Sequence, residues 1–321
     1  MSRDHAIGNL LQAVAILAAG KLLFAIQDVI IKELSGGYPV HQVMAIRGIA
    51  AVPILLVLIH YRGGLGQLRW QGAGLHLLRG SLMLSAFMCF YIALAGTSLT
   101  VATALFFTAP FFITLLSVPL LGEPVGPRRI AGIVIGFIGV LIVLRPDADS
   151  FSYYDLLPIA AALLYAGCQL MLRLFRMTDS AAVMSLHAAL AFIVLGSLAG
   201  LLLAGIDPAA DTSASTQFLL RAWQLPDGID WLLLALTGLT SALGFMCSSN
   251  AYQREQASVI APFEYVMIIW VTLLAYLVWT EIPDAQTLCG IALIIGSGIY
   301  VIRREARVAA QADAYSGLTR R

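Results

Sequence analysis

Apolar runs of about 20 residues recur along the whole chain, and only short polar segments separate most of them. A helix of that length is long enough to cross the ~30 Å hydrocarbon layer of a bilayer. Charged residues make up only 12% of the sequence, whereas soluble domains carry about 25%. The strands of a membrane barrel would be polar at every second position, and these runs are not. The chain is therefore predicted to be an all-α membrane protein.

We predict ten transmembrane helices, with short turns between most of them. The predicted spans lie near residues 9–31, 40–59, 72–95, 98–120, 128–145, 153–172, 180–205, 229–251, 257–279 and 285–302. The longest connection covers about residues 206–228. Within it, Phe218–Trp223 is predicted to form a short helix on the membrane surface, because Trp favours the interface.

The positions of Lys and Arg indicate how these spans are oriented. If the N-terminus is inside, thirteen Arg residues fall in inside segments, and only Lys32, Arg145 and Arg221 fall outside. Cytoplasmic segments of membrane proteins carry the excess of Lys and Arg. We therefore expect a multi-pass protein of the bacterial inner membrane with both termini in the cytoplasm.

One stretch of the sequence occurs twice. Residues 79–145 recur 158 positions later without a gap, so that the triplet Phe87-Met88-Cys89 returns as Phe245-Met246-Cys247 and Glu123 returns as Glu281. Five predicted spans separate each feature from its copy. Because five is odd, the second copy must enter the membrane the opposite way up. Inverted repeats are typical of transporters that work by alternating access.

The repeat divides the chain into segments. We predict a cytoplasmic N-terminus at residues 1–8, a first half of five helices at 9–149, a second half of five helices at 150–303, and a cytoplasmic tail at 304–321. The predicted fold is thus ten helices in two inverted five-helix repeats around a central cavity. The substrate site is expected where the two halves meet, near the bilayer midplane.

Ionisable residues inside the spans are the strongest site candidates, since each costs about 2.5–3.5 kcal/mol to insert. Lys21 and Asp28 lie two helical turns apart and therefore share one face of the first span. Asp28 and Arg47 lie at similar depth, and they form either a structural ion pair or a site for a gate or a substrate carboxylate. Glu264 aligns with Phe106 of the first half, so the halves differ there. Its carboxylate would bind a substrate ammonium, take up a proton, or form a salt bridge with Lys21 or with an Arg at the membrane surface.

Other polar and aromatic residues complete the candidate site. Three polar side chains lie in the inner third of their spans, although a single His in a membrane more often packs through a hydrogen bond than relays protons. Aromatic residues with a few polar groups form a typical small-molecule pocket. The predicted substrate-binding residues are Lys21, Asp28, Arg47, Tyr91, Gln169, His187, Asn250, Glu264, Tyr265 and Trp270.

Several function classes are not expected. The net charge of +1 gives no reason to expect a nucleic-acid partner. The sequence lacks an ATP-binding loop, zinc-protease and nucleophile-elbow motifs, and a Cys-x-x-Cys pair, so we expect no enzyme, catalytic residue, metal or cofactor. The spacing of Gly132 and Gly136 permits close helix packing, either within the bundle or between subunits. We expect a monomer or a weak homodimer in the lipid bilayer, with a small-molecule substrate.

Five features together resemble one transporter family. They are Arg47, Leu78-Arg79-Gly80, Gly122-Glu123, Ala261-Pro262-Phe263-Glu264-Tyr265 and Glu281-Ile282-Pro283-Asp284. Through these motifs the chain resembles the EamA family of the drug/metabolite transporter superfamily, and the resemblance covers residues 9–303. The resemblance implies a cavity lined mainly by spans 1, 3, 4, 6, 8 and 9, with spans 5 and 10 at the periphery.

Members of that family export amino acids and related metabolites, or take up S-adenosylmethionine, riboflavin and similar compounds. The chain is especially similar to the S-adenosylmethionine type. Members of that type, however, tend to have a basic residue at the position that Glu264 occupies in this chain. We predict a secondary transporter that exports small zwitterionic metabolites, amino acids first among them. The alternative is uptake of solutes that resemble S-adenosylmethionine, nucleosides or riboflavin.

Overall fold

The computed structural model of the chain describes residues 3–68, 72–122, 126–144, 153–174, 179–206, 208–209, 211–254 and 261–300. In these ranges every regular element is helical. The predicted tail at residues 304–321, Glu123 and Arg145 lie outside the described residues.

Twelve helices are described; eleven of them lie where the sequence predicts apolar spans, and α9 lies in the longest connection. In chain order they are α1 (Arg3–Leu34), α2 (Val40–Tyr61), α3 (Ala73–Gly96), α4 (Leu99–Phe106), α5 (Ala109–Leu121), α6 (Pro127–Leu144), α7 (Leu157–Leu174), α8 (Ala181–Leu202), α9 (Ala214–Leu220), α10 (Gly228–Arg254), α11 (Val266–Trp279) and α12 (Ala285–Tyr300). Short 3₁₀ turns occur at Leu65–Gln67, Tyr153–Leu156 and Ala261–Tyr265.

The lengths and composition of these helices fit a bilayer. Seven candidate spans are long and apolar enough to cross a membrane, with α4 and α5 counted together as Leu99–Leu120. Three shorter apolar helices also occur, at Ile130–Val143, Phe263–Trp279 and Ala285–Tyr300. The prediction of an all-helical, multi-pass membrane protein is confirmed.

The fourth predicted span differs from a continuous helix. The structure breaks it at Phe107 and Thr108, between α4 and α5. Pro110, in the first turn of α5, has no N–H group to donate to the carbonyl of Phe106. Breaks in helices commonly occur at such positions. Interrupted helices often lie beside the substrate sites of transporters.

The short helix in the longest connection also differs from the prediction. It covers Ala214–Leu220, whereas the sequence suggested Phe218–Trp223. Ser213 begins α9, because its Oγ accepts a hydrogen bond from the backbone N–H of Thr216 at 3.2 Å. Trp223 follows the helix, and its Nε1 donates to His41 Nδ1 at 2.6 Å. The connection is therefore fastened to the start of α2.

The bundle pairs helices of the first half with helices of the second. α1 packs along α10, α2 along α8, and α3 along α7, while α1 also contacts α11 and α5 contacts α7. Glycines allow some of these helices to approach closely. A Cβ atom at Gly48 in α2 would lie 2.7 Å from the carbonyl oxygen of Ala189 in α8. Between α6 and α12, a Cβ at Gly139 would lie 2.8 Å from the carbonyl oxygen of Gly290.

The distribution of side chains is that of a membrane bundle. Large apolar residues are exposed on the outside, for example Ile49, Leu141 and Leu201. Charged residues such as Asp28 and Arg47 are instead buried between helices. Polar groups inside hydrocarbon normally face the interior of a bundle, and here that interior lies between the two halves.

Candidate functional site

Lys21 and Glu264 form an ion pair between the two halves. Lys21 Nζ in α1 lies 2.8 Å from Glu264 Oε2, in the turn that precedes α11. The two side chains are 12% and 31% exposed. The ammonium also lies 5.7 Å from the ring centre of Phe24. One of the alternatives left open for Glu264, pairing with Lys21, is therefore the arrangement found.

Asp28 is held by α3 through Tyr91. The Tyr91 hydroxyl donates to Asp28 Oδ1 at 2.9 Å and accepts from Gln27 Nε2 at 2.8 Å. All three side chains are buried. A buried carboxylate needs such donors, because leaving it unpaired costs several kcal/mol.

Arg47 does not form the ion pair with Asp28 that the sequence suggested. Its Nη2 and Nε donate to Ser241 Oγ in α10 at 2.9 and 3.3 Å. Its guanidinium carbon lies 4.7 Å from the ring centre of Phe87 and 5.6 Å from that of Phe192. Aromatic faces attract a guanidinium, so these contacts compensate for part of its burial. The expected ion pair is wrong because a hydroxyl and two rings take the place of the carboxylate.

Arg79 in α3 is a charged residue that the list of predicted site residues left out. Its side chain is only 7% exposed, and its Nε is buried without a hydrogen-bond partner. Within the described ranges it forms no ion pair. The helix that carries it, α3, packs along α7. An Arg inside an apolar span was the signal that could have identified it.

Aromatic rings fill the space beside these charges. The ring centres of Phe90 and Phe106 are 5.5 Å apart, and those of Phe106 and Tyr165 are also 5.5 Å apart. The ring centre of Phe107, at the break between α4 and α5, lies 5.0 Å from that of Tyr265. Aromatic residues of both halves thus meet at the interrupted helix.

The remaining aromatic candidates have structural contacts. Trp270 Nε1 donates to the carbonyl oxygen of Ala18 in α1 at 3.0 Å. The hydroxyl of Tyr265 is buried without a hydrogen-bond partner among the described residues. It packs so closely on α12 that a Cβ atom at Gly298 would meet it.

His187 packs through a hydrogen bond, the arrangement that the sequence analysis favoured over a proton relay, and it also lies beside a second histidine. Its ring stacks on that of His76 in α3, with centres 4.1 Å apart, and its Nδ1 lies 2.9 Å from the carbonyl oxygen of Val183. His76 Nε2 in turn lies 3.2 Å from Asp179 Oδ2. The other two polar candidates, Gln169 in α7 and Asn250 in α10, are half-buried.

A further polar cluster joins the C-terminal ends of α1, α3 and α11. Lys32 Nζ lies 3.1 Å from Glu281 Oε1 and donates to the carbonyl oxygen of Thr97 at 3.1 Å. The same ammonium lies 4.4 Å from the ring centre of Trp279. Trp279 Nε1 donates to Glu33 Oε1 at 2.6 Å. These contacts hold both halves together at one end of the bundle.

The cavities between α2, α8 and α10 are small. Two of them are described, each with a volume of about 20 Å³. That volume holds a water molecule but not a metabolite. Arg47, Phe192 and Ser241 line the first. In the described part of the chain, no group of three or more His, Cys, Asp or Glu residues is placed to hold a metal ion.

Comparison with known proteins identifies a family. Residues 11–145 and 155–303 each match the model of the EamA-like transporter family. Similar curated proteins cover nearly the whole chain. A riboflavin transporter of Vibrio cholerae is 30% identical over 299 residues, which cover 92% of this chain and 94% of that protein.

Other relatives carry different names. The pseudopaline exporter CntI of Pseudomonas aeruginosa is 27% identical over 298 residues, covering 92% of this chain and 98% of the exporter. An S-adenosylmethionine uptake transporter of Rickettsia felis is 25% identical over 278 residues, covering 87% of this chain and 88% of that protein. A solved crystal structure matches with a TM-score of 0.59 at 19% sequence identity, covering 96% of this chain and 99% of that one, and thereby supports the fold.

Proposed function

Because the chain belongs to the EamA-like transporter family, we propose that it is a secondary transporter of the bacterial inner membrane that moves small zwitterionic metabolites by alternating access. Amino acids are the proposed substrates and export the proposed direction. Ten membrane-spanning helices in two inverted halves, with both termini in the cytoplasm, form the proposed framework.

The helix contacts support the two related halves. In the proposed repeat, α1, α2, α3 and α5 correspond to α7, α8, α10 and α11. Exchanging the halves then converts the α1–α10 contact into α7–α3 and the α1–α11 contact into α7–α5, while α2–α8 maps onto itself. Phe107 and Tyr265, which touch each other, are also 158 positions apart and thus equivalent in the repeat. Such exchange is expected if a pseudo-two-fold axis relates the halves.

The Lys21–Glu264 pair carries the proposal about the substrate. When the site is empty, the ammonium and the carboxylate neutralise each other at 2.8 Å across the boundary between the halves. A zwitterion can replace both partners at once, with its carboxylate on Lys21 and its ammonium on Glu264. Because no charge is left unpaired before or after the exchange, the cost of burying a lone ion is avoided in both states.

The remaining candidates support this exchange in different ways. Asp28 and Tyr91 fix α1 against α3 at a point two helical turns beyond Lys21, and Arg47 fixes α2 against α10. We propose that Gln169, His187 and Asn250, all half-buried, contribute polar contacts when the bundle opens. Trp270 and Tyr265 hold the start of α11 in place.

Alternating access also requires one end of the bundle to close while the other opens. With the proposed orientation, the Lys32–Glu281–Trp279 cluster lies at the outer surface. We propose that this cluster closes the outer end in the present state. The small described cavities fit a closed arrangement, and a space wide enough for a metabolite opens in another conformation.

A second function is favoured by the names of the relatives, among them a riboflavin transporter and an S-adenosylmethionine uptake transporter. Flux into proteoliposomes separates the two proposals. We expect labelled methionine to be transported and to be displaced by other amino acids. If only riboflavin or S-adenosylmethionine displaces it, or is transported instead, amino-acid export is wrong and the second function holds.

A further inference from the structure

Arg79 is a buried cation without a counter-ion in the part of the chain that the structure describes. Its side chain is 93% buried, since only 7% is exposed, and its Nε has no hydrogen-bond partner. A buried charge left unpaired costs several kcal/mol. A sequence that keeps such a residue inside an apolar helix therefore points to a partner that is present only part of the time.

Three other cations in the helices have partners among the described residues, unlike Arg79. Lys21 and Lys32 each pair with a glutamate, and Arg47 donates to a serine and lies against two aromatic rings. Asp179, which precedes α8, pairs with His76, one turn before Arg79. Among the described residues, Nε of Arg79 is thus left without an acceptor.

Packing links Arg79 to the region of Glu264. The helix of Arg79, α3, packs along α7, and the ring of Tyr165 in α7 lies 5.5 Å from that of Phe106 beside the break between α4 and α5. The ring of the next residue, Phe107, lies 5.0 Å from that of Tyr265, which follows Glu264 directly. Arg79 therefore belongs to the same region between the halves as the Lys21–Glu264 pair. An aromatic wall with charged groups around it is suited to a small polar ligand.

We propose that Arg79 binds a second carboxylate of the substrate, so that the preferred substrate is an acidic amino-acid compound with net charge −1. This inference rests on the proposed function, in which the Lys21–Glu264 pair accepts the zwitterionic group. The pair is neutral and a zwitterion is neutral, so Arg79 leaves one positive charge to be balanced. A planar guanidinium matches a carboxylate through two parallel hydrogen bonds. One unpaired cation fits a monoanionic carboxylate better than a phosphate that carries two charges.

L-Glutamate and L-glutamine form a matched pair of probes, because they differ only in a carboxylate and an amide at the end of the side chain. Thermal unfolding of the purified full-length protein is measured while each compound is titrated at constant ionic strength, with inorganic phosphate as a third arm. We expect glutamate to stabilise the native protein at a concentration about tenfold lower than glutamine, since a charge-assisted hydrogen bond is stronger than a neutral one.

Three variants make the test specific. Arg79→Gln should abolish the difference between the two probes, and Arg79→Lys should retain a reduced difference, because an ammonium lacks the planar fork. Arg62→Gln removes an exposed Arg at the end of α2 and should leave the difference unchanged. A merely structural role of Arg79 would change the melting temperature but not the preference between the probes.

The proposal is overturned if the native protein does not distinguish glutamate from glutamine, if the preference survives in Arg79→Gln, or if phosphate stabilises more than glutamate does. Flux in proteoliposomes separates this failure from failure of the proposed function. If neutral amino acids are transported but glutamate is not preferred, only the role of Arg79 is wrong, and the proposed transport function stands. A glutamate preference in binding without any flux removes the transport proposal and leaves Arg79 as a carboxylate site.

Discussion

Lys21 Nζ in α1 and Glu264 Oε2 before α11 lie 2.8 Å apart, and this contact joins the first half of the chain to the second. The two residues are 243 positions apart in the sequence. Removing one partner leaves the other as an uncompensated charge in an apolar bundle, whereas removing both does not. The pair therefore couples the charge balance of the site to the contact between the halves.

This coupling predicts the result of a double-mutant cycle. We expect Glu264→Gln alone to lower stability by about 1–3 kcal/mol, less than a fully buried pair would lose, because Glu264 is 31% exposed. Lys21→Met added to it should recover most of the loss in stability, although transport stays impaired. Melting temperatures of the native protein, both single variants and the double variant measure this. Additive losses in the double variant would contradict a direct interaction.

The same carboxylate is the proposed site of any proton coupling. If Glu264 takes up a proton during transport, Glu264→Gln should remove the dependence of flux on external pH. Flux in proteoliposomes at several external pH values, with a fixed internal pH, is the measurement. An unchanged profile with reduced flux would leave Glu264 as a structural ion-pair partner.

The hydroxyl of Tyr91 is predicted to contribute to stability through Asp28. Tyr91→Phe leaves the ring in place but removes the donor to Asp28 and the acceptor for Gln27. We expect a loss of about 1–3 kcal/mol, the usual cost of leaving a buried polar group unpaired. Tyr276→Phe is the control, because Tyr276 is exposed on α11. Equal melting temperatures for the two variants would show that Asp28 does not need this bond.

Close packing of α2 on α8 is predicted to tolerate no side chain at Gly48. An alanine there places a Cβ 2.7 Å from the carbonyl oxygen of Ala189 and 2.8 Å from Ile193 Cγ1, so the helices must separate. We expect a loss of about 1–3 kcal/mol from overpacking. Gly74→Ala, in the first turn of α3, meets no atom within 4 Å and should be neutral or slightly stabilising. The melting temperatures of both variants decide this.

The cluster at Lys32 and Glu281 is predicted to control access from outside. In a cysteine-free background with Thr97→Cys, the rate of labelling by a membrane-impermeant maleimide reports exposure of the end of α3. Glu281→Gln removes the partner of Lys32 and should raise that rate several-fold. Asp211→Asn, an exposed charge change in the connection before α9, is the matched control. Equal rates in the two variants would mean that the cluster does not close the bundle.

Much of the fold could be predicted because hydrocarbon leaves few alternatives. Apolar runs that are long enough to cross the bilayer must be helices, so the positions of these runs in the sequence predict the positions of the helices. The break after Phe106 does not follow from Pro110 alone. A proline is tolerated in the first turn of a helix, and the sequence does not show that a new helix begins at Ala109. Ser213 marks the start of α9, whereas Trp223, on which the prediction of a surface helix rests, lies beyond the end of that helix.

The partners of the charged residues were harder to predict. The sequence spacing shows that Lys21 and Asp28 share one face of α1. It does not show how α1 is rotated against α11, and that rotation brings Glu264 to Lys21. Arg47 was assigned to Asp28 because both are charged and lie at a similar depth. In the structure, Arg47 donates a hydrogen bond to Ser241, and no feature of the sequence distinguishes this serine from the others. In the sequence, Arg79 stands out only as part of a family motif, because the pattern of residues does not show whether a buried Arg has a partner.

Exchange of substrate across a membrane tests the central claim most directly. The full-length protein is reconstituted into liposomes loaded with unlabelled amino acids, and entry of labelled methionine or glutamate is followed. The account predicts saturable entry that preloaded substrate accelerates, because a carrier with one alternating site returns faster when it is occupied, and it predicts that Glu264→Gln reduces this entry strongly. Entry no faster than in protein-free liposomes for every amino acid, or entry that neither saturates nor responds to preloading, would contradict it.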